Sequence, residues 1–113
     1  MLTKSDTYEA ARSGFSWIVP EHYNIGVDVV DKHPGERLAL IYQAADGRVE
    51  RHTFGDMARA SNRLANVLVG LGLERGDRVA VLMPQRPETA IAHIAAFKAG
   101  MISVPLFVLF GEE

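Results

Sequence analysis

The sequence contains no cysteine. That excludes disulfides, iron–sulfur clusters, thiolate zinc sites and cysteine nucleophiles, and it is compatible with a reducing compartment. A charge bias is also missing: 12 basic and 14 acidic side chains leave a formal net charge of −2. The basic footprint of a nucleic-acid binder is therefore absent. Long hydrophobic runs are lacking too. The richest apolar stretch, Met101 to Phe110, is interrupted by Ser103 and Pro105, and a membrane span needs roughly 20 apolar residues. No apolar segment follows Lys4 near the start, so no secretory signal is expected and the cytoplasm is the simplest location. What remains is a globular composition of 113 residues, 48% apolar. It suffices for one small domain and is too apolar for disorder at this net charge.

Tyr8 to Phe15 reads as a short helix stopped near Gly14, and Phe15, Trp17, Ile18 and Val19 as an apolar knot ending at Pro20. Asn24 is placed to cap a second short helix, which Pro34-Gly35 ends. The period then changes. Leu38–Gln43 and Val49–Thr53 flank Ala45-Asp46-Gly47 and predict an antiparallel hairpin with a tight turn. From Phe54 to Leu71, apolar or small residues including Met57, Ser61, Ala65 and Leu68 recur at helical spacing. Thr53 and Asp56 stand as a capping box at its start. Arg78 to Met83 is nearly continuous apolar, which predicts a strand covered on both faces. Pro87 suits the first position of a helix running to Ala99, and Met101 to Leu106 predicts another strand.

Strand, helix and strand in immediate succession make a βαβ unit. The expected class is α/β, with residues 1–36 as a helical lead-in and 37–113 as a truncated α/β subdomain. A parallel pair without a later strand is an incomplete sheet. The chain therefore reads as the first part of a larger α/β protein.

Chemistry-bearing patterns are sparse. Gly70, Gly72 and Gly76 miss the dinucleotide-loop spacing and follow a helix where a strand is required. His22, His33, His52 and His93 are dispersed without metal-ligand spacing. Asp28, Asp31 and His33 form a candidate acidic cluster that helix-end solvation explains equally well. No nucleophile elbow is present, and Ser13, Ser16, Ser61 and Ser103 have no local activating partner. Ser61 reads as a small packing residue. The pairs Arg48/Arg51 and Arg59/Arg63 read as a solvated face. Arg86, between Pro84 and Pro87, is the candidate rim residue at a strand's carboxyl end, where α/β folds bind ligands; a structural role in a strand-to-helix loop competes with that reading. No catalytic, cofactor-binding or metal-binding residue is assigned.

The order of several short pieces is more specific than any one of them. These are Thr53 to Met57, Ser61 to Ala65, Gly70 to Ala80, Met83 to Glu88, Ala96 to Gly100 and Val104 to Phe107. Together they resemble the amino-terminal region of AMP-forming acyl-CoA synthetases, in the adenylate-forming superfamily. Asn24 to His33 is similar to the acetyl- and medium-chain branch. The resemblance implies a parent enzyme in which a carboxylate attacks the α-phosphate of Mg-ATP and CoA then displaces AMP from the acyl-adenylate. ATP, Mg and CoA are implied for that parent. Its phosphate loop and adenine, ribose and lysine motifs come later than Glu113, so the fragment itself is expected to bind no cofactor and to be inactive alone. The chain stops inside the family pattern, as a truncated product, a proteolytic remnant or an interrupted gene would. Its expected partner is the remainder of the parent or a second copy, with no nucleic acid and no membrane span. The alternative functional reading is a non-enzymatic interaction module or self-associating scaffold derived from such a domain. A weaker one is a small nucleotide binder using the loop Pro84–Pro87.

Overall fold

The computed structural model describes residues 4–108. Along the chain come α1 (Tyr8–Ser13), a π-helical turn (Val27–Asp31), β1 (Leu38–Gln43), β2 (Val49–Thr53) and α2 (Phe54–Gly70). Then follow β3 (Arg78–Leu82), α3 (Pro87–Lys98) and β4 (Ile102–Leu106). The architecture is mixed α/β, as the residue pattern predicts. β1 and β2 form an antiparallel hairpin, and β3 and β4 form a separate parallel pair joined through α3.

The hairpin departs from the simplest turn that Asp-Gly allows. A type I′ turn needs positive φ at both central residues. Gly47 has φ +86°, but no described non-glycine residue is positive. Instead Gly47 N–H donates to Ala44 O (2.9 Å) and Ala44 N–H to Arg48 O (2.8 Å). That is the longer loop in which a single glycine takes the left-handed position. A bulge between Leu38 and Leu40 shifts the register at the other end.

Helix α2 starts without a loop after β2. Asp56 N–H donates to Thr53 Oγ1 (3.1 Å), and Thr53 N–H donates to Asp56 Oδ2 (2.9 Å), completing the capping box. Two orphan donors of the first turn are thereby satisfied. Met57, Ser61 and Ala65 are the buried face. Ser61 is fully buried, and its hydroxyl donates to Met57 O (2.7 Å), so it needs no partner outside the helix. α3 packs on α2, and its own buried positions, Ala95 and Ala96, are equally small.

α3 covers one face of the β3–β4 pair. The opposite face stays open: Leu82 is 61% and Ile102 52% exposed. This corrects the expectation of a strand covered on both faces, because a second helical layer is missing among the described residues. The apolar knot is corrected as well. Trp17, Ile18 and Val19 lie exposed, and Phe15 meets Trp17 edge-on with ring centroids 5.0 Å apart.

These open surfaces add up. The chain exposes 8973 Å², whereas a compact monomer of its 12.4 kDa should expose about 6,100 Å². Its radius of gyration is 17.5 Å against about 13 Å for a compact chain of this length.

The segment ahead of β1 is held onto the helices at few points. Asn24 caps as expected, accepting Val27 N–H on Oδ1 (3.2 Å), while its Nδ2 donates to Lys98 O (2.9 Å). Lys32 N–H closes the π turn on Val27 O (3.2 Å), which buries Val30. Gly26 has an ordinary helical φ of −64°. It is required for space: a Cβ there would sit 2.6 Å from Lys98 Cγ and 3.1 Å from Ile94 O. Beyond the turn, His33 stacks on Phe54 (4.4 Å), and Gly55 N–H donates to Gly35 O (2.8 Å).

Three substitutions check this account. Gly26→Ala should destabilise the chain by about 1–3 kcal/mol, as overpacking against backbone does, read from denaturant unfolding. The Thr53 amide donating to Asp56 holds that carboxyl below the ordinary aspartate value of 3.8. A depressed folded-state value gives stability that is present above the ordinary value and lost as pH falls through the folded one. The melting-temperature gap between wild type and Asp56→Asn should thus be constant near neutrality and close below pH 3.8. Thr53→Ala, which removes the other half of the box, should cost about 1 kcal/mol.

Candidate functional site

Open α/β sheets place ligands at the carboxyl ends of their strands, and β3 ends at the loop Met83–Arg86. There Thr89 Oγ1 donates to Pro84 O (2.6 Å), tying the loop to the first turn of α3. Arg86, the sequence's rim candidate, is the N-cap residue of α3. Its side chain is half exposed, with Nε 3.4 Å from Glu88 Oε2. Pro87 at the first helical position offers no N–H, and Glu88 adds a carboxylate to the same turn. An anion approaching here meets one missing donor and one like charge. The arrangement does not fit a nucleotide phosphate.

Beside this loop runs a groove of about 490 Å³ between α2, β3 and α3. Leu64 and Leu68 form one wall, Val79 to Met83 the floor, and Ile91 the other wall. Glu88 is its sole charged lining residue. Such a surface can exclude water from an apolar group, but it holds few polar atoms to orient a reacting one.

The remaining candidates fall apart into separate local contacts. Asp28 pairs with Lys32 and accepts the Tyr23 hydroxyl, and these contacts hold its carboxyl below the usual range. Asp31 turns instead to Lys98, 2.6 Å away, and His33 to the ring of Phe54. The acidic cluster is thus divided among separate partners. Among the described residues, no group of three histidine, aspartate or glutamate side chains could hold a metal ion. Arg48 pairs with Glu50 (3.2 Å) and Arg59 with Asp56 (2.6 Å), as a solvated face interleaved with acids would. His52 Nε2 is buried and lies 3.4 Å from Glu50 Oε2 without hydrogen-bond alignment.

Two arrangements escaped the sequence reading. His93 Nδ1 lies 2.6 Å from Ser103 Oγ. The crossover brings the two together over ten residues, so no local spacing announces them. Both are half-buried between α3 and β4, where the contact bonds helix to sheet. The second is Lys98, whose ammonium donates to Asp31 Oδ1 (2.6 Å) and Asn62 Oδ1 (2.8 Å). Its side chain is only 8% exposed. A second groove, of about 760 Å³, lies at this end of α3, between Pro20–Ile25 on one side and Arg75 and Phe97 on the other.

With this geometry in view, comparison with known proteins is informative. Residues 27–113 match the family model described as AMP-binding enzyme. The chain is 32% identical to the acetyl-coenzyme A synthetase of Phycomyces blakesleeanus, over all of this chain and 18% of that protein. It is 32% identical to a mitochondrial acyl-coenzyme A synthetase of Rattus norvegicus, over 87% of this chain and 18% of the relative. The crystal structure of Brucella canis acyl-CoA synthetase superimposes with a TM-score of 0.76 at 36% identity. That match covers 79% of this chain and 17% of the other. The chain thus spans less than a fifth of the length of the relatives it matches, and its fold is a part of theirs. The family match over residues 27–113 and the shared fold establish that the chain belongs to the AMP-binding enzymes.

Proposed function

We propose that this chain is the N-terminal part of an AMP-forming acid–CoA ligase of the acetyl- and medium-chain branch. The parent converts a carboxylate, ATP and CoA to acyl-CoA, AMP and diphosphate, and these residues serve it as scaffold. Relatives named as acetyl-CoA and acyl-CoA synthetases support the parent reaction. ATP, Mg and CoA belong to the parent. In the loop after β3 the one cation, Arg86, pairs with Glu88, and Pro87 offers no N–H, so the loop by itself is a poor cradle for phosphoryl transfer. We place the parent in the cytoplasm and divide the chain into a lead-in over 1–36 and an α/β subdomain over 37–113.

The observation that carries this reading is the excess surface. The chain exposes roughly 2,800 Å² more than a compact monomer of its mass. A second copy docked through a standard interface covers about 800 Å² per partner. Most of the excess would still face water. The remainder of a ligase, which in the relatives is more than four-fifths of the chain, is the partner of sufficient size.

Incubation of the purified chain, at verified mass, with ATP, CoA and acetate or medium-chain carboxylates should produce no AMP above the protein-free blank. Thioester or AMP formation that scales with chain concentration would overturn the inactivity. A second reading, a self-associating scaffold, is favoured by the open β3–β4 face around Leu82. It expects light scattering to report a mass rising with concentration, and Leu82→Lys to return the chain to monomer. A wild-type monomer at every concentration leaves the remainder of the ligase as the partner.

A further inference from the structure

Among the described residues, Lys98 ties the lead-in to α3 through both its side chain and its backbone. Its carbonyl oxygen accepts from Asn24 Nδ2 (2.9 Å). Its ammonium holds Asp31 (2.6 Å) and, on α2, Asn62 (2.8 Å). Its stem fills the space left by the missing side chain of Gly26. Ahead of Asn24, Trp17, Ile18 and Val19 are exposed. After the π turn, by contrast, the chain is held independently of Lys98, by His33 against the Phe54 ring and by Gly35 O, which accepts from Gly55 N–H.

We propose that residues 20–31 are a strap over the C-terminal end of α3, fastened at Asp31 by the Lys98 ammonium and hinged beyond it at Lys32–Gly35. The physical basis is an asymmetry in burial. The Lys98 side chain is 8% exposed and Asp31 32%, so the cation depends on its partners while the carboxylate can return to water. An ammonium nearly withdrawn from solvent is retained only where its donors are satisfied. Removing it leaves Asp31 free to resolvate and withdraws the one charge-assisted contact that spans the strap and both helices. The strap also forms the Pro20–Ile25 wall of the 760 Å³ groove, so unfastening opens that groove along its length. This inference concerns the lead-in and is independent of the ligase reading.

Hydrogen exchange on the full 113-residue chain, resolved by peptide, tests it in wild type, Lys98→Met and Asp31→Asn. Lys98→Met keeps most of the apolar stem against Gly26 and removes the charge. In both variants the amides of residues 24–32 should exchange roughly tenfold faster, the scale of a lost hydrogen bond to a charged group. Protection in α2 and in the hairpin should keep its wild-type level. The double variant should exchange no faster than Lys98→Met, because both substitutions break the same contact. Wild-type exchange over 24–32 in both variants would overturn the strap. So would an equal rise in α2 and the hairpin with Asp31→Asn, which would make the contact a general support of the fold.

Discussion

The docking of the lead-in on the two helices depends on one nearly buried ammonium. Lys98 stands at the last turn of α3, where a cation also complements the helix dipole. To stay there it requires oxygen partners, and it takes them from two different elements, Asp31 on the π turn and Asn62 on α2. That requirement fixes how three separate pieces meet. The small residues follow from it. Gly26 lets the lead-in approach the lysine stem, and the buried Ser61, Ala65, Ala95 and Ala96 give the two helices faces without bulk. Small side chains at the α2–α3 contact contribute little apolar burial per residue, which raises the relative weight of the polar contacts beside them.

The loop after β3 illustrates how similar local chemistry can serve packing rather than binding. A strand end, a proline-started helix and an arginine together suggest a ligand rim. Arg86 turns to Glu88 and Thr89 to Pro84 O, and those contacts satisfy the loop from within. The His93–Ser103 contact does the same between α3 and β4.

Elements whose signals are local were legible in the sequence. The Thr53–Asp56 capping box, Pro87 at the start of α3, and the two hairpin strands each announce themselves within a few residues, and each is found where expected. What the residues could not reveal alone depends on distant partners. Lys98 meets Asp31 across 67 positions, and nothing near either predicts it. The apolar character of β3 and of Trp17–Val19 predicts burial that the described residues do not fully provide. Whether they are buried depends on what packs against them, and that is not encoded in the strands themselves.

The strand pairings also carry a kinetic consequence. β1 pairs with β2 across one turn, and β3 with β4 across one helix, so each joins neighbours along the chain. Closing short loops costs little entropy, and such contacts form early. The ties of the lead-in to Lys98 close loops of 67 and 74 residues. They reward the chain only after α2 and α3 are in place. Among the described segments, the lead-in is therefore the last to dock, and its tryptophan faces outward even once the rest has assembled.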